Sequence, residues 1–403
     1  MLLRELNIEN IKASNMTTQT KTTWRKVKLG EIMKISRDFG RKIKVSEYKA
    51  KGLIKIYDQG SDYISGYTDD LKAVYKGKLP AILFGDHTLR LRLINDKFAI
   101  GADGIQILEP LDSIVDRIFF YYLLKYAIKN LKSYGYERHL KYLREIEISY
   151  PEDIKKQKRI ADILSAFDDK IEVNNKIIKI LEEMTQEVFK EWFVRFRFPG
   201  WEKVKFVDSE LGKIPEGWKA TILEEIMNLR KEKFKSYNEW KNENLLDLGR
   251  FPQKSLAINE YGKGEEIKTS VFKFYKGDIL FGAVRPYFHK VVIAPFGGVT
   301  NQSVFVIFPK KQEFYSYLIT ILFSESTINY ATNMAFGTKM PVLKYEDLAN
   351  MNIVLPDFKI LSIFNEIVDK FYKIIIEKVE ENQTLAAMRD LLLPKLMKGE
   401  IKV

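Results

Sequence analysis

The chain repeats itself over about half its length, and that repeat limits the possible folds more than any other feature. Trp24–Ile35 reads WRKVKLGEIMKI and Trp218–Leu229 reads WKATILEEIMNL, with the Trp, Leu, Glu, Ile and Met in step. ILFG occurs at Ile82–Gly85 and at Ile279–Gly282, and LKY at Leu140–Tyr142 and Leu343–Tyr345. The offset drifts from 194 at the tryptophans, through 197 at ILFG, to 204 further on, as insertions in the loops of a duplicated unit would produce. Solenoid repeats have periods of about 20–50 residues. Each copy here is therefore a whole domain.

Each copy ends in a long run of periodic apolar residues. After Pro151 they recur at Ile160, Ile163, Phe167, Ile171, Ile178, Leu181, Met184, Val188 and Trp192, in steps of three and four. The spacing predicts one helix from Pro151 to about Val194 with a narrow, coiled-coil-like seam. Pro151 suits a first helical position, and Glu152 and Asp153 suit the positive end of the dipole. At ~1.5 Å per residue such a helix would be roughly 65 Å long, too long for a compact domain, and it reads as a strut. Asn174 falls on the seam, where a buried amide can fix register at some cost in stability. Shifted by 204, the seam returns after Pro356 and Asp357 as Phe364, Ile367, Phe371, Ile375, Leu385, Met388 and Leu392. Glu182 and Glu183 are expected to face away from the seam, as solvated or interface charges rather than an acid/base pair.

Composition sets the outer bounds. With 403 residues, 46% of them hydrophobic, there is material for two cores. No cysteine is present, which excludes disulfides and thiolate metal sites and suits a reducing cytoplasm. His87, His139 and His289 have no metal-ligand spacing. The longest apolar runs, such as Ile118–Leu124, are too short to cross a bilayer, and residues 1–23 show no signal-peptide pattern. A soluble cytoplasmic protein is expected. The net charge is +12, and residues 1–100 hold 20 Lys and Arg against 11 Asp and Glu, while 151–200 balance at 10 and 10. The surplus thus lies in the domains and not in the first strut, which favours a polyanion, nucleic acid first. A lysine-rich solvated surface is the other reading of the same charge.

In chain order, residues 1–23 form a polar leader and 24–150 a first domain. Short β-type segments at Leu53–Tyr57, Ala81–Phe84, Leu89–Leu93 and Ile105–Leu108, separated by Gly, Asp and Pro turns, suggest a curved sheet, with a packed helix at Ile118–Leu131. The strut takes 151–195, and 196–217 is a linker carrying Pro199-Gly200 and Pro215-Glu216-Gly217. The second domain, 218–355, repeats the pattern with strands near Ile279–Phe281, Val291–Ile293 and Val304–Phe308. The second strut and tail fill 356–403. The fold class is α+β: two domains of curved or mixed sheet with helices, separated by two long helices. If a pseudo-twofold relates the copies, the helices form an antiparallel coiled coil and the domains hang from its opposite ends.

This domain, helix, domain, helix repeat resembles the specificity subunits of Type I restriction-modification systems. The closing motifs are similar too, with Trp192-Phe193 and Phe196 after the first strut and Leu393-Pro394-Lys395-Leu396-Met397 with Gly399-Glu400-Ile401 after the second. The resemblance covers residues 24–403. It implies a target recognition domain in each half, each reading one part of a split double-stranded DNA sequence. It also implies helices that space the readers and dock two methyltransferase subunits, alongside two restriction (helicase-nuclease) subunits. S-adenosylmethionine, ATP and Mg would then be bound by those partners and not by this chain. Trp192, Phe193 and Phe196 are candidates for the partner interface.

Candidates for DNA contact come from the loops. In Thr88–Leu93 the leucines alternate with Arg90 and Arg92, which would share an open face next to Asp86 and His87 and offer donors and an acceptor to base edges; a solvated strand face is the alternative. Tyr136–Lys141 adds Arg138, His139 and Lys141. In the second domain the stretch after ILFG gives Arg285, Tyr287, His289 and Lys290, and Gly337-Thr338-Lys339 matches the position of Gly135–Arg138. Asn301 and Gln302 could read adenine, or bond their own backbone as turn amides. Lysines and arginines would mostly set register on phosphates. No amino-methylation motif, phosphate loop or metal-ligand spacing is present, and Glu266-Ile-Lys268 reads as a surface pair. The chain is expected to be non-catalytic: a DNA-binding specificity subunit, or, alternatively, a duplicated coiled-coil adaptor whose domains bind proteins.

Overall fold

Of the tryptophans that open the repeats, Trp24 opens the strand that closes its domain and Trp218 immediately precedes the equivalent one. The computed structural model describes residues 23–60, 64–101, 104–129, 131, 137–258, 260–267 and 269–403. The polar leader expected over 1–23 lies outside these apart from Thr23, as do Gly135, Tyr136 and Lys268. The chain divides into two compact units, residues 1–166 with 390–403, and residues 167–389.

The first unit runs β1 (Trp24–Lys28), β2 (Met33–Ser36), β3 (Ile54–Tyr57), β4 (Gly66–Thr68), β5 (Ala81–Gly85), β6 (Leu91–Ile94), β7 (Phe98–Ile100), β8 (Ile105–Pro110), α1 (Arg117–Ile128), α2 (Leu140–Glu145), β9 (Glu147–Pro151) and the start of α3 (Ile154–Phe189). An antiparallel sheet of order β2-β8-β5-β6 packs with a smaller one of order β4-β3-β7, in which β3 and β7 are parallel. The uniformly apolar Ile82–Phe84 stretch follows from this layering, because successive side chains of a strand point to opposite faces. Ile82 and Phe84 join Phe119, Phe120 and Leu123 of α1 in one core, while Ala81 and Leu83 join Tyr57, Phe98 and Ile100 in another. β1 pairs antiparallel with β9 from Trp24↔Pro151 to Lys28↔Glu147.

The second unit repeats the scheme. After a hairpin of β10 (Phe206–Ser209) and β11 (Gly212–Pro215), which occupies the expected linker, come β12 (Lys219–Ile222), β13 (Met227–Leu229), α4 (Tyr237–Trp240), β14 (Asn244–Leu245), β15 (Gly262–Lys263), β16 (Phe272–Phe274), β17 (Ile279–Gly282), β18 (Val291–Ile293), β19 (Gly298–Thr300), β20 (Val304–Pro309), α5 (Tyr315–Leu322), α6 (Glu325–Met334), α7 (Tyr345–Ala349), β21 (Asn352–Leu355) and α8 (Phe358–Met397). The order β13-β20-β17-β18 matches β2-β8-β5-β6, β14 runs parallel to β19 as β3 does to β7, and β12 pairs β21 as β1 pairs β9. The duplication is structural as well as sequential.

The helices start later than the sequence suggested. Pro151 completes β9, and Asp153 caps α3 by accepting from Lys155 N at 2.9 Å. Asp357 does the same for α8, accepting from Ile360 N at 2.9 Å. Both are N-cap residues whose carboxylates satisfy donors the helix leaves open. α3 closes in a single π turn, Lys190–Val194. The seam also needs correction. Ile160, Leu164, Asn174, Ile178, Glu182, Thr185 and Phe189 are buried, whereas Ile163 and Met184 are 37% and 46% exposed. Ile160, Ile171, Glu182 and Phe193 stand eleven residues apart, as do Phe364, Ile375, Ala386 and Met397. A period of about 3.67 follows a straight helix more closely than the heptad's 3.5. The heptad reading has slipped by a residue at Met184, and Glu182 lands on the buried side.

Within the second unit the helices pair antiparallel. Arg389 binds Asp168, Asn174 Nδ2 donates to Asn382 Oδ1 at 2.9 Å, and the rings of Phe193 and Phe364 lie 4.8 Å apart. Asn174 is fully buried, as expected of a register-setting amide, and also donates to Glu381 Oε2 at 3.1 Å. In the first unit Ile160 and Leu164 share a core with Leu393, Leu396 and Met397. Among the described residues no helix is long and apolar enough to cross a membrane.

Candidate nucleic-acid interface

In the first domain the candidates separate into braces and exposed groups. Asp86 is buried, and its Oδ1 accepts from Leu140 N at 2.7 Å, while its carbonyl takes Nδ1 of the buried His139 at 2.8 Å. Both are therefore corrected from surface readers to the joint that seats α2 against the turn after β5. His87, half-buried, has Nδ1 3.2 Å from Glu137 O. Arg92 is 7% exposed, and its guanidinium binds the carbonyls of Asp58 and Gly60. Its strand face is not open as expected, because the loop following β3 covers it. Arg90 is exposed, but its guanidinium also binds Gly60 O. Arg138 and Lys141 are exposed, with Lys141 Nζ 4.5 Å from the Tyr142 ring centre.

The second domain divides the same way. His289 is buried with Nε2 2.9 Å from Phe323 O, and burial holds its imidazole below the ordinary value, so it is corrected to an internal group. Asn301 accepts Ser303 N on Oδ1 at 2.9 Å, the self-bonding turn amide. Arg285 adopts φ 51° and is half-buried, donating from Nη2 to Lys339 O at 3.2 Å. Tyr287, Gln302, Thr338 and Lys339 are exposed.

A further duplicated device escaped the sequence reading. Asp58 Oδ1 accepts Gly60 N at 2.7 Å, and Asp247 Oδ1 accepts Gly249 N at 3.0 Å, each just after the strand that runs parallel to its neighbour. Arg90 reaches over the first turn, and Lys290 over the second, where Nζ donates to Leu248 O at 2.5 Å. Gly85 N to Arg90 O and Gly282 N to Lys290 O are both 2.8 Å, so the two cations occupy the same register. Asp-x-Gly after an apolar strand was the available signal: an Asx turn needs that spacing. The cations that looked like base readers tie this turn to the central sheet.

The three aromatics expected at a partner interface lie in or against the core of the second unit. Phe193 is 6% exposed, with Phe364, Tyr317, Phe189 and Trp218 around it at 4.8–5.8 Å; Trp192 and Phe196 are half-buried in the same cluster. These aromatics hold the second unit together. Glu182 is likewise not solvated. It is 5% exposed and accepts Ser255 Oγ at 2.8 Å and Leu256 N at 2.7 Å. Burial outweighs these bonds and pushes its carboxyl up to about 7. Among the residues α3 leaves exposed in this unit are the apolar Val173, Ile180 and Met184, interspersed with charges such as Lys176, Lys179 and Glu183.

With two like domains, each leading into one of a pair of antiparallel helices, comparison with known proteins is decisive. A family model described as the Type I restriction modification DNA specificity domain matches residues 21–183 and again residues 215–387. The chain belongs to this family. It is 30% identical to the Type I restriction enzyme MjaIX specificity subunit of Methanocaldococcus jannaschii over 326 residues, covering 74% of this chain and 72% of that one. It is 24% identical to the Type I restriction enzyme EcoDI specificity subunit of Escherichia coli, with 94% and 88% covered. The crystal structure of a Type I system S subunit from M. genitalium shares the fold, with a TM-score of 0.52 at 18% identity over 94% of this chain and 98% of that one. The two matched segments are the two copies that begin near Trp24 and Trp218.

Proposed function

We propose that this member of the specificity family is the DNA-recognition subunit of a Type I restriction-modification complex, reading an asymmetric, bipartite duplex target with one half-site per domain. The observation that carries the reading is one scaffold built twice with different loops: the sheet orders coincide, while the exposed candidates are Arg90, Arg138 and Lys141 in one copy and Tyr287, Gln302, Thr338 and Lys339 in the other. Equal scaffolds with unequal loops suit two unlike half-sites. The exposed cations would chiefly meet phosphates and set register, leaving neighbouring groups to read bases.

Two methyltransferase subunits would dock on the helices. The exposed Val173, Ile180 and Met184 suit that role better than the buried Trp192 cluster, since exposed apolar area tends to mark an interface. Catalysis, with S-adenosylmethionine and, in the restriction subunits, ATP and Mg, would lie in the partners. The test is a domain exchange. Replacing Trp218–Leu355 by the same domain of another family member should change one half of the methylated sequence and leave the other intact. A change in both halves would refute independent reading. An adaptor that binds only proteins would show neither DNA binding nor the steep loss of affinity with salt that phosphate contacts produce.

A further inference from the structure

The second unit carries a braced loop whose tip is apolar. Phe336 and Val342 pair through Phe336 N to Val342 O at 3.1 Å and the return bond at 2.9 Å, leaving five residues between them. Gly337 takes φ 102°, a conformation side chains with a Cβ seldom adopt. The loop is held from its flank: Arg285 N donates to Pro341 O at 2.7 Å, Leu343 N to Ala283 O at 2.8 Å, and Arg285 Nη2 to Lys339 O at 3.2 Å. These two main-chain bonds and the guanidinium bond fix it against the segment that follows β17.

What this braced loop presents to solvent is apolar and basic together. Phe336 is 56% exposed and Met340 58%, with the exposed Lys339 between them in sequence and Lys344 Nζ 5.2 Å from the Phe336 ring centre. A phenyl ring and a thioether held out of the core want an apolar surface, and amines among them want anions close by. The major groove of DNA supplies both. It admits a two-stranded ribbon, it carries the thymine C5-methyl group as an apolar feature, and phosphates line its rim. Resting on the reading that the domains bind duplex DNA, we propose that the loop Phe336–Val342 reads a thymine in the second domain's half-site. Phe336 and Met340 cover its methyl group, and Lys339 sets register on a neighbouring phosphate.

The test uses the full chain and a random duplex library to select the target, followed by resynthesis with deoxyuridine at each thymine in turn, which removes one methyl group and nothing else. One position in one half-site should weaken by about fourfold, the effect of unburying a single methyl-sized group. Phe336→Ala or Met340→Ala should bind the thymine target more weakly and lose the distinction between thymine and deoxyuridine there. Lys339→Ala should weaken both duplexes equally and flatten the salt dependence. Because these side chains are exposed, the variants should melt with the wild type, and a melting curve reports any that do not fold. A selected target indifferent to every deoxyuridine, a half-site without thymine, or variants that keep full discrimination would each overturn the loop's role while leaving DNA recognition standing. A chain that selects no sequence at all would overturn the two together.

Discussion

Glu182 offers a measurement in which the sign of a pH effect is fixed by geometry. Its carboxylate lies on the buried side of α3, and its hydrogen-bond donors, Ser255 Oγ and Leu256 N, are both neutral. The ordinary value of 4.5 rises to about 7, with burial the leading cause and the charge of Glu183 adding to it. Below about pH 4.5 the group is protonated in folded and unfolded chains alike and contributes nothing. Between 4.5 and about 7 the unfolded chain has lost the proton and the folded chain keeps it, so stability falls as pH rises. At ~1.4 kcal/mol per pH unit the accumulated loss is about 3 kcal/mol, constant above the folded value. Glu182→Gln keeps an oxygen to accept both bonds and cannot ionise. Urea unfolding of the full chain, followed by tryptophan fluorescence, should give a wild-type minus variant difference that moves by about 3 kcal/mol in the variant's favour between pH 4 and pH 9. A difference that does not change with pH would show that Glu182 is charged or solvated in the folded chain.

Asn174→Ala should cost about 1–3 kcal/mol by stranding the Asn382 carbonyl oxygen in the helix interface, whereas Asn174→Leu with Asn382→Leu should recover most of that; urea midpoints showing additive losses would contradict the pairing. Arg92→Ala should destabilise the first domain by about 1 kcal/mol, since the half-buried Asp58 carbonyl loses its guanidinium donor while Gly60 O keeps that of Arg90. Its thermal melting should drop while the salt dependence of DNA binding stays that of the wild type. Arg138→Ala and Lys141→Ala should do the reverse, weakening all duplexes alike and making the salt slope shallower by about one each, provided each contacts a phosphate. Filter-binding titrations over a salt series distinguish the two behaviours.

The scaffold was legible because it is written twice. Trp24 with Trp218 and ILFG with ILFG place the closing and central strands, and Val291–Ile293 has the same bounds in sequence and structure. Asn174 was legible as a buried amide because a polar residue isolated on an apolar stripe goes wherever the stripe goes, into the helix interface. The errors share one cause, which is that burial depends on what comes to lie opposite. Arg92 alternates correctly with its leucines, but the loop that covers it follows β3, more than thirty residues earlier, and no local pattern announces that. Glu182 was placed outside by a heptad count that drifts from the true period over three turns. Pro151 is compatible with a helix start and with a strand end, and only its pairing with Trp24 decides between them. The Asp58 and Asp247 turns could have been found, since they recur at equivalent points of the repeat, but their offset of 189 lies outside the range the conspicuous motifs suggested.

The antiparallel pairs β1–β9 and β12–β21 make each domain a closed loop whose first and last strands are bonded side by side, and only Glu152 and Asp153, or Pro356 and Asp357, separate the last strand from its helix. Such a joint has almost no hinge: the capping aspartate already belongs to the helix and the residues before it to the sheet. A domain so welded passes its orientation to the first turns of its own helix and receives theirs in return, with no tether to average over. A graft cut outside both strands carries the weld with it. A graft cut between them strands one partner, leaves a row of backbone donors and acceptors unpaired, and turns a fixed bracket into a swivel. If the domains read a helical ladder as proposed, the difference between bracket and swivel is the difference between one register and many.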